Sequence, residues 1–178
     1  AVIVTSNRIL KAQKISENSI RIEMGEPIFE WKKIPLSKDI NHKKINIKID
    51  DFELKDGFAI NVGNPHIVFF VDDCFKYDLK KIGPLIENYE LFPEKINVTF
   101  AHIKDSSNIM VNVWERGAGL TKACGTAACA TGVVAFEKKL SGNNTNIHFK
   151  EGLLNIKYNN AISMSGPVSD IKKIQIKL

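Results

Sequence analysis

Val113–Ala130, VWERGAGLTKACGTAACA, decides how this chain is read. It supplies a strand ending in a charged pair, Glu115-Arg116, then a glycine-rich loop, then Cys124 just before a helix begins. The continuation, AACATGVVAFEKKL, is helix-forming, and Ala127, Ala128, Ala130, Val133, Val134 and Phe136 make it apolar for most of its length. A helix apolar nearly all round is one surrounded by protein. The segment from Thr126 to Leu140 is therefore expected to run through the middle of a curved sheet. A thiol at a helix N-terminus has its thiolate form favoured by unsatisfied backbone N–H groups and the helix dipole. The same N–H groups form an anion site. A reactive sulfur beside a carboxylate- or phosphate-sized pocket is the first expectation.

Outward from this stretch, most segments read as strands. They are Val2–Ser6, Ile9–Gln13, Ser19–Met24, Lys44–Ile49, Phe58–Val62, Ile67–Val71, Ile96–Ile103, Asn108–Glu115, Asn146–Phe149, Leu153–Tyr158 and Ile171–Lys177. Each is short, β-branched or alternating, and closed by Gly, Pro, Asn or Asp. A second helix is expected from about Asp78 to Glu90, with Leu79, Ile82, Ile86 and Tyr89 on one face. Domain boundaries are suggested at Met24-Gly25-Glu26-Pro27, where a strand stops and Pro27 breaks the pattern, and at Ser165-Gly166-Pro167.

Composition excludes several classes. With 44% hydrophobic and 25% charged residues the chain reads as an ordinary globular protein. No apolar run approaches the ~20 residues of a membrane helix, and no signal peptide is visible at the N-terminus. The net charge of +5 is spread over short lysine pairs without interleaved aromatics, so no nucleic-acid surface is expected. Cys74, Cys124 and Cys129 lack a disulfide-framework spacing. The histidines His42, His66, His102 and His148 do not cluster with a cysteine, so no metal is expected. A reducing cytoplasm suits such a chain.

Three further constellations could carry chemistry. In Gly63-Asn64-Pro65-His66, Pro65 fixes a turn and His66 opens the apolar run IVFFV. His66 reads most simply as a strand-entry histidine satisfied by backbone; the alternative is an amide–imidazole pair aimed into a pocket. Asn97, alternating with Ile96 and Val98, reads alone as a solvent-face residue. Glu115 and Arg116 are either a surface ion pair worth little or a substrate grip, with Arg116 holding a carboxylate in two-pronged fashion. Cys124 in its Ala-Cys-Gly-Thr setting is read as reactive, whereas Cys74 and Cys129 are read as structural.

Taken together and in this order, GNPH, FPEKINV, VWERGAG, ACGT and SGPV closely resemble the pattern of the cofactor-free (PLP-independent) diaminopimelate epimerases. The resemblance covers nearly the whole chain, and ERGAG followed closely by ACGT is its most specific part. It implies an α+β fold of two similar lobes, each a strongly curved, barrel-like mixed sheet around a central helix. It implies an isomerase of lysine and peptidoglycan biosynthesis that interconverts LL- and meso-diaminopimelate, with two cysteines on opposite faces of the α-carbon. By motif, Cys124 resembles the second catalytic cysteine, and Gly125 and Thr126 resemble the cradle of the reacting α-carboxylate. His66 and Glu115 resemble the residues that tune the thiols. Asn64, Asn97, Glu115 and Arg116 match positions that hold the distal amino-acid end. No cofactor is implied, and the intact protein is expected to be a cytoplasmic homodimer. Leu120 and Ala127 stand where many members have an acidic residue and a glycine.

The Cys-Gly-Asn-Gly type motif that carries the family's first catalytic cysteine is not in this sequence. The chain therefore resembles the C-terminal part of an epimerase, with roughly the first third outside it, and alone it is expected not to racemise. Glu26–Met164 is expected as the complete second lobe, with Ala1–Gly25 and Ser165–Leu178 as remnants of the first. Exposed apolar surface is expected where the first third belongs. A proline-racemase-like enzyme and a non-catalytic amino-acid-binding module are the alternatives.

Overall fold

The run Ile67-Val68-Phe69-Phe70 shows why the sheet carries protein on both faces. Successive side chains on a strand point to opposite sides. Val68 lies in one buried cluster and Ile67 and Phe69 in another, all at 0–1% exposure. In the computed structural model, which describes residues 1–4, 9–49, 52–169 and 175, both clusters sit against one mixed sheet.

Its strands are β1 (Val2–Val4), β2 (Ile9–Ser16), β3 (Ser19–Gly25), β4 (Ile45–Ile49), β5 (Phe52–Asn61), β6 (Pro65–Phe70), β7 (Asn97–Asp105), β8 (Asn108–Glu115), β9 (Gly119–Thr121), β10 (Asn144–Phe149), β11 (Gly152–Asn159) and β12 (Ala161–Pro167). The order is β1-β2-β3-β12-β11-β10-β8-β7-β6-β5-β4, with β9 paired to β8 off this path. Two pairings, β6/β7 and β8/β10, are parallel. The curved path remains open, since β1 and β4 end it.

Helix α2 (Gly125–Glu137) is the expected central helix. Every residue from Ala127 to Ala135 is buried, and the helix touches β5, β6, β7, β10, β11 and β12. Small side chains let it pass this close to so many strands. It stops earlier than Leu140. Lys139 turns left-handed at φ 58°, and the Leu140 N–H bonds back to Ala135 O at 2.8 Å, a glycine-like close made by a lysine. Helix α1 (Leu79–Glu87) covers the other face, against β7, β8 and β9. It ends three residues before Glu90: the Tyr89 N–H turns to Ile86 O at 3.1 Å, a tightened last turn, and Asn88 Nδ2 caps Pro84 O at 2.7 Å.

Other departures from the sequence reading have local causes. β5 starts at Phe52 rather than Phe58 because Asp56, at φ 60°, makes a bulge instead of ending the strand. Ser165-Gly166-Pro167, suggested as a boundary, forms the end of β12, with Pro167 opposite Ser19. β9 and β12 were not expected as strands. The expected division at Ser165 falls inside β12, which carries hydrogen bonding from β11 to β3. Apart from Gln175, the expected strand Ile171–Lys177 lies outside the described residues. The β1–β2 hairpin shows solvent an apolar surface: Val2, Val4 and Ile9 are 65–74% exposed.

Candidate active site at one end of the sheet

Topology gathers the singled-out residues. β6 and β7 run parallel with His66 opposite Asn97, and β8 runs antiparallel to β7, so its C-terminal end lies beside their N-terminal ends. The Glu115–Gly119 turn and the start of α2 follow from there.

Cys124 is the N-cap of α2, in extended backbone at φ −144° and ψ 113°. Its sulfur lies 3.4 Å from Thr126 Oγ1, and the Ala127 N–H also points to it. The expected thiolate is corrected here. Burial pushes the Cys124 thiol above its ordinary pKa, and the nearby Glu115 carboxylate adds to the rise, against the opposing bonds from Thr126 and Ala127. At 6% exposure the thiolate loses more hydration than two hydrogen bonds return. The resting group is a thiol.

His66 is fully buried. Its Nε2 lies 2.9 Å from Asn64 Oδ1; with an oxygen as partner Nε2 carries the proton, and Nδ1 is left as an acceptor with no protein partner. The partner is thus a side chain and not the backbone. Burial, with Arg116's charge second, lowers the imidazole pKa to about 3, so the ring is neutral.

Asn97 corrects the solvent-face reading. It is 3% exposed; its Nδ2 donates to Pro65 O at 2.7 Å and its Oδ1 accepts from the Arg116 N–H at 2.9 Å. One amide hydrogen and one lone pair remain for a ligand. Arg116 does not pair with Glu115. Its Nη1 donates to Glu94 O at 2.8 Å, while Glu115 stands by Cys124.

One residue was missed. Glu87, 5% exposed, accepts from Trp114 Nε1 at 2.7 Å and from the Gly117 N–H at 3.1 Å. A glutamate four residues after Gly83, beside Ile86 on the apolar stripe of α1, was the available signal. Among the described residues no three or more His, Cys, Asp or Glu gather as a metal would need. None of the described helices is long and apolar enough to cross a membrane.

The family model for diaminopimelate epimerase matches residues 58–171. A relative from Pelagibacter ubique (strain HTCC1062) named diaminopimelate epimerase is 51% identical over 99% of this chain and 66% of its own length. The chain belongs to the diaminopimelate epimerase family. A further epimerase of that name, from a Wolbachia of Drosophila simulans (strain wRi), is 40% identical over 93% of this chain and 63% of its own. The epimerase-family chain thus spans just under two thirds of the length of these relatives. Among solved structures, a probable proline racemase from Agrobacterium radiobacter K84 matches with a TM-score of 0.67 at 11% identity, over 99% of this chain and 60% of that one. A predicted epimerase from Pseudomonas aeruginosa matches at 0.52. At such identities these two speak for the fold alone, an α+β curved open sheet shared with racemases and epimerases.

Proposed function

We propose that this chain supplies the Cys124 half of a cofactor-free diaminopimelate epimerase whose other thiol lies in the first third that the relatives carry. One thiolate takes the α-proton of LL-diaminopimelate while the Cys124 thiol gives its proton to the opposite face, leaving meso-diaminopimelate and exchanging the protonation states of the two sulfurs. Proton transfer needs the groups within contact of the carbon. Without a cofactor, charge developing on the α-carboxylate needs preorganised donors, and the first-turn N–H groups of Gly125 and Thr126 have no intrahelical acceptor. Asn64, Asn97, Glu115 and Arg116 hold the distal amino-acid end, and neutral His66 and the Glu115 carboxylate tune the thiols. The complete protein is a cytoplasmic homodimer. The apolar β1–β2 hairpin is the surface on which the first third packs.

The observation that carries this reading is a buried thiol, capping α2, beside a carboxylate and next to the Asn–His–Arg cluster, in a chain of this family. The test compares the 178-residue chain alone with the chain fused behind the first third of the Pelagibacter relative. In D2O the fusion exchanges and inverts the α-hydrogen of LL-diaminopimelate, Cys124→Ala abolishes both, and the chain alone does neither. Inversion by the chain alone overturns the two-thiol reading. Binding without exchange by the fusion makes it a binding module, and turnover of proline instead favours the racemase alternative.

A further inference from the structure

Glu87 is the last residue of α1, and nothing in the proposed chemistry uses it. A buried carboxylate is costly unless its oxygens are bonded, and both of Glu87's oxygens face the same neighbour, the end of β8 and the turn that follows. Oε2 accepts from Trp114 Nε1 at 2.7 Å and Oε1 from the Gly117 N–H at 3.1 Å. The Lys95 ammonium stands 3.9 Å from Oε1.

The turn itself is conformationally demanding: Gly117 sits at φ 76°, where other residues are strained. Its two successive amides are received by side chains from different elements. Arg116 N–H goes to Asn97 on β7 and Gly117 N–H to Glu87 on α1. Helix and strand cannot slide to relax this. Gly83, one turn before Glu87 on the same helical face, lies so close to Trp114 that an added Cβ would come within 2.5 Å of its ring.

We infer that Glu87 is a positioning residue, which through Trp114 and Gly117 sets the Glu115–Arg116 segment at the angle from which it addresses the distal end of the substrate. This deepens the proposed function and rests on it for the substrate. Glu87 touches no reacting atom, so its loss falls mainly on binding, with a smaller effect through Glu115 on the Cys124 thiol. Glutamine has one acceptor oxygen for two donors, and its NH2 would confront the other donor. Removing the indole donor as well leaves that oxygen for Gly117 alone.

Two measurements test this. In the 178-residue chain, Glu87→Gln is expected to speed hydrogen exchange of the Gly117 amide at least ~10-fold, while the Ala128 amide in α2 keeps its protection. Glu87→Gln/Trp114→Phe restores Gly117 protection and Glu87→Ala/Trp114→Phe does not; this pair decides the matter even where Glu87→Gln alone fails to fold. In the fused enzyme, Glu87→Gln raises KM roughly 10-fold with a smaller fall in kcat, since Glu115 moves with the segment, and the Gln/Phe double variant recovers KM. Unchanged Gly117 exchange in Glu87→Gln, no recovery in the Gln/Phe variant, or a fall in kcat at constant KM overturns the inference. If the wild-type fusion is inactive, the epimerase reading falls while the exchange experiment still decides the role of Glu87 in the turn.

Discussion

Acid should unfold this chain earlier than its composition suggests, and His66 is the reason. The imidazole is fully buried, with its pKa held at about 3 against an ordinary 6.5. The folded state therefore stays unprotonated over a range where the unfolded chain binds a proton. The sign follows from linkage. Where the unfolded state holds more protons, stability rises with pH, so His66's share is complete above 6.5 and is lost as pH falls from 6.5 toward 3. The slope in that window is about 1.4 kcal/mol per pH unit, which makes about 2 kcal/mol by about pH 5. Against a total of ~5–15 kcal/mol for a domain this is large.

The perturbation is His66→Gln, whose amide can donate to Asn64 Oδ1 as Nε2 does but does not titrate. Urea unfolding of both proteins at about pH 7.5 and about pH 5 isolates the histidine, because every other titrating group is common to the two. The wild type should lose about 2 kcal/mol more than the variant over that interval. Parallel losses, within about 0.5 kcal/mol, would mean that the ring titrates normally in the fold. The account of a neutral, buried His66 would then be wrong.

Alkylation of Cys124 by iodoacetamide near neutral pH should be slower than for an ordinary exposed thiol, since burial and Glu115 both raise its pKa. Glu115→Gln removes one of these causes and should speed it; an unchanged or slower rate refutes the assignment. Gly83→Ala puts a methyl against the Trp114 ring and should cost about 1–3 kcal/mol by overpacking, read in urea with a shift in indole fluorescence. A neutral substitution there would mean that α1 is free to move off β8.

What the chain discloses as sequence is whatever its nearest neighbours decide. The apolar run IVFFV reads as a buried strand, and Ala-Cys-Gly-Thr reads as a helix start, because period and capping are local. Cys124 does cap α2, whose first residue, Gly125, comes one before the expected start at Thr126. The polar residues go astray because their partners are remote. Asn97's amide is claimed by Pro65, 32 residues away, and Gly117 is claimed by Glu87, 30 residues away. Alternation places Asn97 opposite Ile96 and Val98 correctly, but it cannot say that protein covers both faces there. β12 was missed for a related reason. Gly166 and Pro167 are breakers in isolation, yet β3 pairs with both of them, while β11 holds the Ala161–Ser165 part of the same strand from the other side.

The protonated Cys124 is the correction with the most chemical content. A helix N-terminus argues for a thiolate, but two-thiol inversion requires one sulfur with a proton and one without in each turnover. Two resting thiolates would have no acid. In the proposed enzyme this half of the site is built to keep its proton. Burial and the Glu115 carboxylate disfavour the anion, and His66, with a pKa near 3, contributes no positive charge to draw it out. The Ala127 N–H and Thr126 hydroxyl that already face the sulfur are then of most use after transfer, when Cys124 has become the thiolate and must serve as base for the reverse reaction. Their energy goes into the charged form that arises during turnover and not into the resting state, which is where a catalyst's interactions raise kcat.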